Sequence, residues 1–267
     1  EKLYRSLAPS FRLDPEKLDG QAFFNVETLE LLEEKWRQVL AGNPDFIKLY
    51  LLDHDRASGT ESDGLSEPVF RRAVELAKEA GLRTTVHLET AADFALAVDA
   101  GADEAAHLPG YWFGPGLDEE DYRISAELAE KAAASGFIVI TTTNITDMIV
   151  GMRDTADEEA QRIRALQAEN LDTLRIAGVP LAIGSDTFQE TARDEVMSLH
   201  ALASHTDAEL LRLWVDTPRL SIFPGRAIGV LAPDWEANFV TMSCNPAMDI
   251  KCVEEITLRV KQGAVLE

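Results

Sequence analysis

The chain has 267 residues, 46% of them hydrophobic and 27% charged, enough to bury one large α/β core, or a medium domain with an appendage, and too apolar for disorder. Its 47 acidic against 25 basic residues give a net charge of −22, which repels phosphate backbones and anionic bilayers and sets aside nucleic acid and membrane as partners. No apolar run approaches the roughly 18 residues of a bilayer span, no basic-then-apolar leader opens the chain, and Cys244 and Cys252 read as unpaired thiols of a reducing, cytoplasmic location.

The chain opens on Glu1 rather than methionine, so the natural protein is expected to begin earlier. The first 44 residues read as loop plus one helix, "VETLELLEEKWRQVLAG". "DFIKLYLL" (45–52) is a compact apolar run with aromatic and branched residues, the pattern of a strand buried on both faces. A polar loop follows, carrying His54 and Arg56; His54 reads as a surface-loop residue. From Ser66, "SEPVFRRAVELAKEAG" has an N-cap residue, Pro68 in its first turn, apolar residues at helical spacing and a stop at Gly81.

The same grammar repeats. Strand "LRTTVHLE" precedes helix "TAADFALAVDAG", and "ADEAAHLPG" is a short strand running into a loop. The acids Asp118–Asp121 read as a solvated helix start. Helix "YRISAELAEKAAASG" then leads to strand "FIVITTTN", and helix "ADEEAQRIRALQAENLDTLRIAG" to strand "VPLAIGSD". Gly81, Gly101, Gly136 and Gly178 stand where each helix must stop and turn, a position that favours positive φ.

Five strands separated by four helical segments imply parallel pairing. A closed barrel and an open doubly wound sheet both fit. No G-x-G-x-x-G or G-x-x-x-x-G-K-[ST] occurs, so the nucleotide-binding open sheets lose support and the barrel moves ahead. Two further helices follow, "DEVMSLHALAS" and "TDAELLRLWVDTPRLSIF", the second with Thr206 and Glu209 in capping-box spacing. His200 and His205 read as solvated. Past Gly225 the texture changes to short β-like pieces, "AIGVLAP", "ANFVTMS" and "EITLRVKQGAVLE". The expected division is therefore residues 1–225 and 226–267, the second too small to hold a core alone.

Chemistry-bearing residues collect at the strand ends. Lys48 lies inside the first strand, His87 ends "TTVHL", His107 ends "DEAAHL", and Asp186 ends "LAIGSD". In parallel barrels the carboxyl ends of strands carry the chemistry. Alternation places Lys48 on the face of Phe46 and Tyr50, and a desolvated amine there suits a Schiff base or a carbamate that ligates metal. Each residue alone has a plain structural reading; Asp186 could simply cap the helix after it. Together, neutral imidazole and carboxylate are the usual first shell of zinc and similar divalent ions. Tyr111 and Asn144, on loops beyond the third and fourth strands, are candidate substrate contacts, and Arg56 and Arg153 are the few charged anchors on the loops.

In the segments "FIKLYL", "TVHLETAADFALAVDAGADEAAHLPG", "NLDTLRIAGVPLAIGSD" and "IGVLAPDWEANFV", the chain resembles the metal-dependent amidohydrolase superfamily, in particular its imidazolonepropionase-like and prolidase-like members. The resemblance implies a TIM (β/α)8-type barrel, here only about strands four to eight, with the C-terminal strands of a small β-sandwich. It implies two divalent metal ions, zinc foremost, bridged by a carboxylated Lys48. His87 and His107 would ligate the second ion, and Asp186 would ligate the first and shuttle the proton from attacking water to leaving amine. The implied activity is hydrolysis of a C–N bond in a small-molecule substrate, a cyclic amide or dipeptide-like compound.

One departure from that pattern is large. The family supplies a His-x-His pair from its first strand, and no such pair occurs in this sequence. The expectation is therefore the C-terminal part of a longer protein, unable to close its sheet alone and inactive alone. The missing N-terminal part or another chain would complete it, and a homo-oligomer stays open. Two alternatives remain: a barrel-type binding or scaffold protein without metal, and a Schiff-base aldolase or decarboxylase acting through Lys48.

Overall fold

Parallel strands alternate with helices through most of the chain, as the hydrophobic periodicity requires. The computed structural model describes residues 19–20, 23–52, 64–114, 116–152, 156–187, 191–221 and 224–266. His54, Arg56 and Arg153 lie outside the described residues. In chain order the elements are α1 (Leu29–Ala41), β1 (Phe46–Tyr50), α2 (Glu67–Glu79), β2 (Arg83–His87), α3 (Ala91–Ala100) and β3 (Glu104–Ala106). After a 3-10 turn at Glu119–Tyr122 come α4 (Ala126–Ser135), β4 (Ile138–Thr141), α5 (Ile145–Met152), α6 (Asp157–Ala177) and β5 (Leu181–Ile183). Then follow α7 (Ala192–Leu202), α8 (Asp207–Val215), α9 (Pro218–Ser221), β6 (Phe239–Met242), a second 3-10 turn at Ile250–Glu254, β7 (Ile256–Lys261) and β8 (Ala264–Leu266). Five strands form a parallel sheet in the order β1-β2-β3-β4-β5, and β6-β7-β8 form a separate antiparallel one.

The chain divides into two compact units, one of Glu1–Ala105 with Phe113–Arg123, the other of Ala106–Trp112 with Ile124–Glu267. In the first, Ile47 and Leu49 are buried while Lys48 and Tyr50 on the other face are half-buried. Helix α2 lays Val69, Phe70, Ala73 and Val74 inward at helical spacing and packs on β2. Ser66 occupies its N-cap position but makes no side-chain cap bond, and Pro68 in the first turn lacks one of the N–H groups that would need a partner.

In the second unit, α4 packs on α6, whose Ile163, Leu166, Leu171 and Leu174 face inward. The Thr206–Glu209 pair forms both halves of a capping box. Gly81, Gly101, Gly136 and Gly178 all hold the positive φ, 71–80°, that their stop positions call for. Strands β7 and β8 join through Gln262 and Gly263, both at positive φ, the two-residue turn that suits the twist of a hairpin. Along β7, half-buried Ile256, Leu258 and Val260 alternate with exposed neighbours.

Several expectations are corrected. "AIGVLAP" forms no strand. Residues 145–152, to which the sequence reading assigns no element, form α5. His205 is not solvated: it is 9% exposed, with Nδ1 2.8 Å from the Ser204 hydroxyl, and burial lowers its pKa. Cys244 and Cys252 are not free thiols but are bonded to each other, their Cα atoms 5.6 Å apart. That pairing withdraws the cysteine argument for a reducing compartment. No described helix is long and apolar enough to cross a membrane.

Candidate metal centre

The first unit presents one amine and one imidazole on a common face. Parallel pairing sets Lys48 opposite Thr85 and Tyr50 opposite His87, and paired residues of neighbouring strands share a face, so Lys48, Tyr50, Thr85 and His87 all lie on one side. The Lys48 ammonium stands 5.6 Å from the centre of the Tyr50 ring, which in turn lies 5.4 Å from the His87 ring. His87 Nε2 is 3.9 Å from Glu89 Oε1, and both side chains are largely buried. Lower on that face Thr85 donates to Glu104, a buried acid that also takes Arg83 Nη2 at 3.1 Å.

The second unit brings an imidazole to a carboxylate. His107 follows β3 directly, and its backbone N–H donates to Ile140 O on β4 at 3.1 Å. Asp186 follows β5 after the Gly184–Ser185 step. His107 Nε2 and Asp186 Oδ2 are 3.7 Å apart, the imidazole side chain 5% and the carboxylate 53% exposed. The opposite ring nitrogen, Nδ1, is 2.9 Å from the Thr142 hydroxyl. Asp186 does not cap the next helix; Thr191 does, with Asp194 completing a capping box.

Both residues carry backbone strain. His107 has φ 124° and Asp186 φ 49°, conformations that cost side-chain-bearing residues about 1–3 kcal/mol each and persist only where the surroundings fix them. Gly184 shows how closely they are fixed. Its N–H donates to Thr141 O at 2.9 Å, and a Cβ there would lie 2.7 Å from Ile140 Cγ2. The glycine in "LAIGSD" lets β5 run against β4 just before the acid.

Tyr111 and Asn144 are 7% and 6% exposed. The Tyr111 ring sits 5.4 Å from that of His107, and its carbonyl accepts from the Thr146 hydroxyl at 3.1 Å. The Asn144 backbone N–H donates to Glu195 at 2.8 Å. Sequence reasoning missed this buried network. Glu195 accepts from Thr143 as well, Gln167 reaches the Thr146 hydroxyl, and Asn170 takes Ile124 N–H and donates to Pro109 O. A signal was present: Glu195 shares the inward face of α7 with Val196 and Leu199, an acid on an apolar stripe. Burial pushes its carboxyl up to about 7 against the hydrogen bonds from Asn144 and Thr143.

Among the described residues no three His, Cys, Asp or Glu side chains gather into one metal-sized group. The His107–Asp186 pair nonetheless fits a metal centre by donor type, bringing an imidazole nitrogen and a carboxylate oxygen to within 3.7 Å of each other. The Thr142 contact supplies the partner that a ligating histidine needs on its other nitrogen.

No protein-family model and no curated protein matches the sequence. Solved structures do. They include an amidohydrolase (TM-score 0.68, 22% identity, 90% of this chain and 58% of that one) and phenylurea hydrolase B (0.72, 18%, 99% and 63%). A third is the ochratoxinase of A. niger (0.70, 19%, 91% and 55%). The chain shares the fold of part of each of these structures. It spans 55–63% of the length of these three structures. Within the shared part, the five-stranded parallel sheet carries the strand-end residues singled out above.

Proposed function

We propose that this chain belongs to the amidohydrolase superfamily and supplies part of a metal-dependent hydrolase that cleaves a C–N bond in a small molecule. Residues 1–225 would form part of a (β/α)8-type barrel and residues 226–267 part of a small β-sandwich. The observation that carries the reading is the His107–Asp186 pair, two strand-end residues in strained backbone with facing polar atoms 3.7 Å apart. The hydrolases among the solved neighbours support it, one of them a prolidase in complex with N-methylphosphonate-L-proline.

In this reading Lys48, carboxylated, and His87, His107 and Asp186 hold two divalent ions, zinc by donor type. Such ions, when bound, supply Lewis acidity toward water and the scissile carbonyl. His107 offers Nε2, its ring oriented by Thr142 at Nδ1. Asp186, half exposed at the strand end, accepts a proton from the attacking water and returns it to the leaving amine. Tyr111, stacked beside His107, and Asn144 contact the substrate.

The test is metal analysis of the full-length protein. The native protein is expected to retain zinc through gel filtration, and His107→Asn and Asp186→Asn each to lose bound metal while staying folded. A native protein that takes up no divalent ion, or variants that bind as much as native, would overturn the assignment in favour of a metal-free scaffold.

A further inference from the structure

A buried carboxylate that plays no part in the steps above grips the loop after β4. Glu195, in the first turn of α7, has no exposed surface. Its Oε2 accepts the Asn144 backbone N–H at 2.8 Å, and its Oε1 accepts the Thr143 hydroxyl at 3.1 Å, with Ser198 Oγ 3.0 Å from that same hydroxyl. The preceding residue, Thr142, reaches the other way to His107 Nδ1. Of three consecutive residues, Glu195 thus holds two from one side and the third meets the imidazole on the other.

A leucine at position 195 would fill the inward face of α7 without the desolvation cost that burial imposes on an acid. That cost is visible in the carboxyl pushed up to about 7. What the acid adds, and an apolar side chain does not, is two directed acceptors for one loop. A hydroxyl can serve imidazole Nδ1 as donor or as acceptor, so a mobile Thr142 would leave both ring tautomers open. In the metal-free protein the Asp186 carboxylate, an acceptor only, lies 3.7 Å from Nε2 and favours the ring proton there; Thr142, held 2.9 Å from Nδ1, then donates to that nitrogen and completes the one tautomer.

We propose that Glu195 is a positioning residue: by clamping Thr143 and Asn144 it fixes Thr142 and so holds the His107 ring in one tautomer and one orientation. The consequence for metal binding rests on the metallohydrolase reading; the positioning does not. Partners of this kind on a ligating histidine change metal affinity about 10–100-fold when removed.

The experiment uses full-length protein labelled with 15N-histidine, without added metal, read by long-range proton–nitrogen correlation. His107 is assigned by its loss in His107→Asn. The native protein is expected to show a single tautomer for His107, Glu195→Leu an averaged pattern, and Glu195→Gln the native one. The amide oxygen of Gln can still accept from Asn144 while its NH2 donates to the Thr143 hydroxyl. If the Leu variant does not fold, Thr143→Val, which removes one of the two links, decides by the same averaging. An unchanged His107 pattern in the folded Leu variant, or failing that in Thr143→Val, overturns the proposal. Zinc competition then reads the second arm, with affinity expected to fall about 10–100-fold in Glu195→Leu. If the native protein binds no zinc, the metallohydrolase reading falls and the tautomer result still decides the positioning.

Discussion

Gly184→Ala tests how tightly the acid-bearing strand end is built. The added Cβ would meet Ile140 Cγ2 at 2.7 Å and Thr141 O at 3.2 Å. Carbon atoms rest at about 3.5–4.0 Å, so the first contact is short by about 1 Å. The φ of Gly184 is not in the left-handed range, so the substitution isolates the steric effect. Neither neighbour yields easily: Thr141 O is backbone and accepts the Gly184 N–H, and Cγ2 of a β-branched side chain has little freedom. Overpacking of this kind costs about 1–3 kcal/mol. Urea denaturation at unchanged m-value should show that loss as a lowered midpoint. Ile140→Leu removes Cγ2 and keeps the volume, so the double variant should recover about 1 kcal/mol of it. A loss below about 0.5 kcal/mol, the range of an ordinary surface change, or strict additivity in the double variant, would refute the close approach.

Two further outcomes are expected. Cys244→Ser opens a loop whose ends are 8 residues apart and should cost about 2–3 kcal/mol by loop entropy, whereas non-reducing thiol titration of unfolded native protein should find no free thiol; two titrating thiols would refute the bond. Glu195, pushed up to about 7 from 4.5, favours the fold in its protonated form, so its contribution is full below pH 4.5 and is lost as pH rises through 7. Native stability should therefore fall relative to Glu195→Gln across that window, by at most about 3 kcal/mol, and parallel pH profiles would sink the assignment.

What was legible in the sequence was whatever depends on local periodicity or on a single backbone angle. The β1, β4 and β5 strands are short, mainly apolar runs, β2 shows its branched Thr84, Thr85 and Val86, and the helix stops are glycines at positive φ. Parity along "FIKLY" placed Lys48 with Tyr50, and the register against β2 adds Thr85 and His87 to that face. The misses share a cause: each depends on contacts between residues that spacing alone does not relate. The 5.6 Å approach of the two cysteine Cα atoms is one such contact. His205 reads as a polar residue after a helix, but Ala203 at φ 54° ends α7 and Ser204 then meets the ring. In α5, "ITDMIVGM" carries a glycine and too few polar residues to show a helical stripe, so periodicity assigned it no element. Glu195 was visible only as an anomaly on an apolar face.

The two strained residues show why the glycine and the buried acid belong to one design. A φ of 124° at His107 and of 49° at Asp186 is held only if neighbouring groups leave no relaxed alternative. The end of β4 supplies that constraint to both. Ile140 O fixes the His107 N–H and Thr142 its ring, while Thr141 O fixes the Gly184 N–H two residues before Asp186. The end of β4 is in turn held by Glu195 through Thr143 and Asn144. The two controls are physically different, one steric and one polar, so they should separate on substitution. Gly184→Ala displaces β5 against β4 and should move Asp186 while leaving the Thr142–His107 contact in place. Loss of the Glu195 acceptors should free the His107 ring while β5 keeps its register with β4 at Val139, Ile140 and Thr141. If both substitutions instead released both residues together, the end of β4 would be one cooperative unit, and the separate role argued for Glu195 would reduce to general stability.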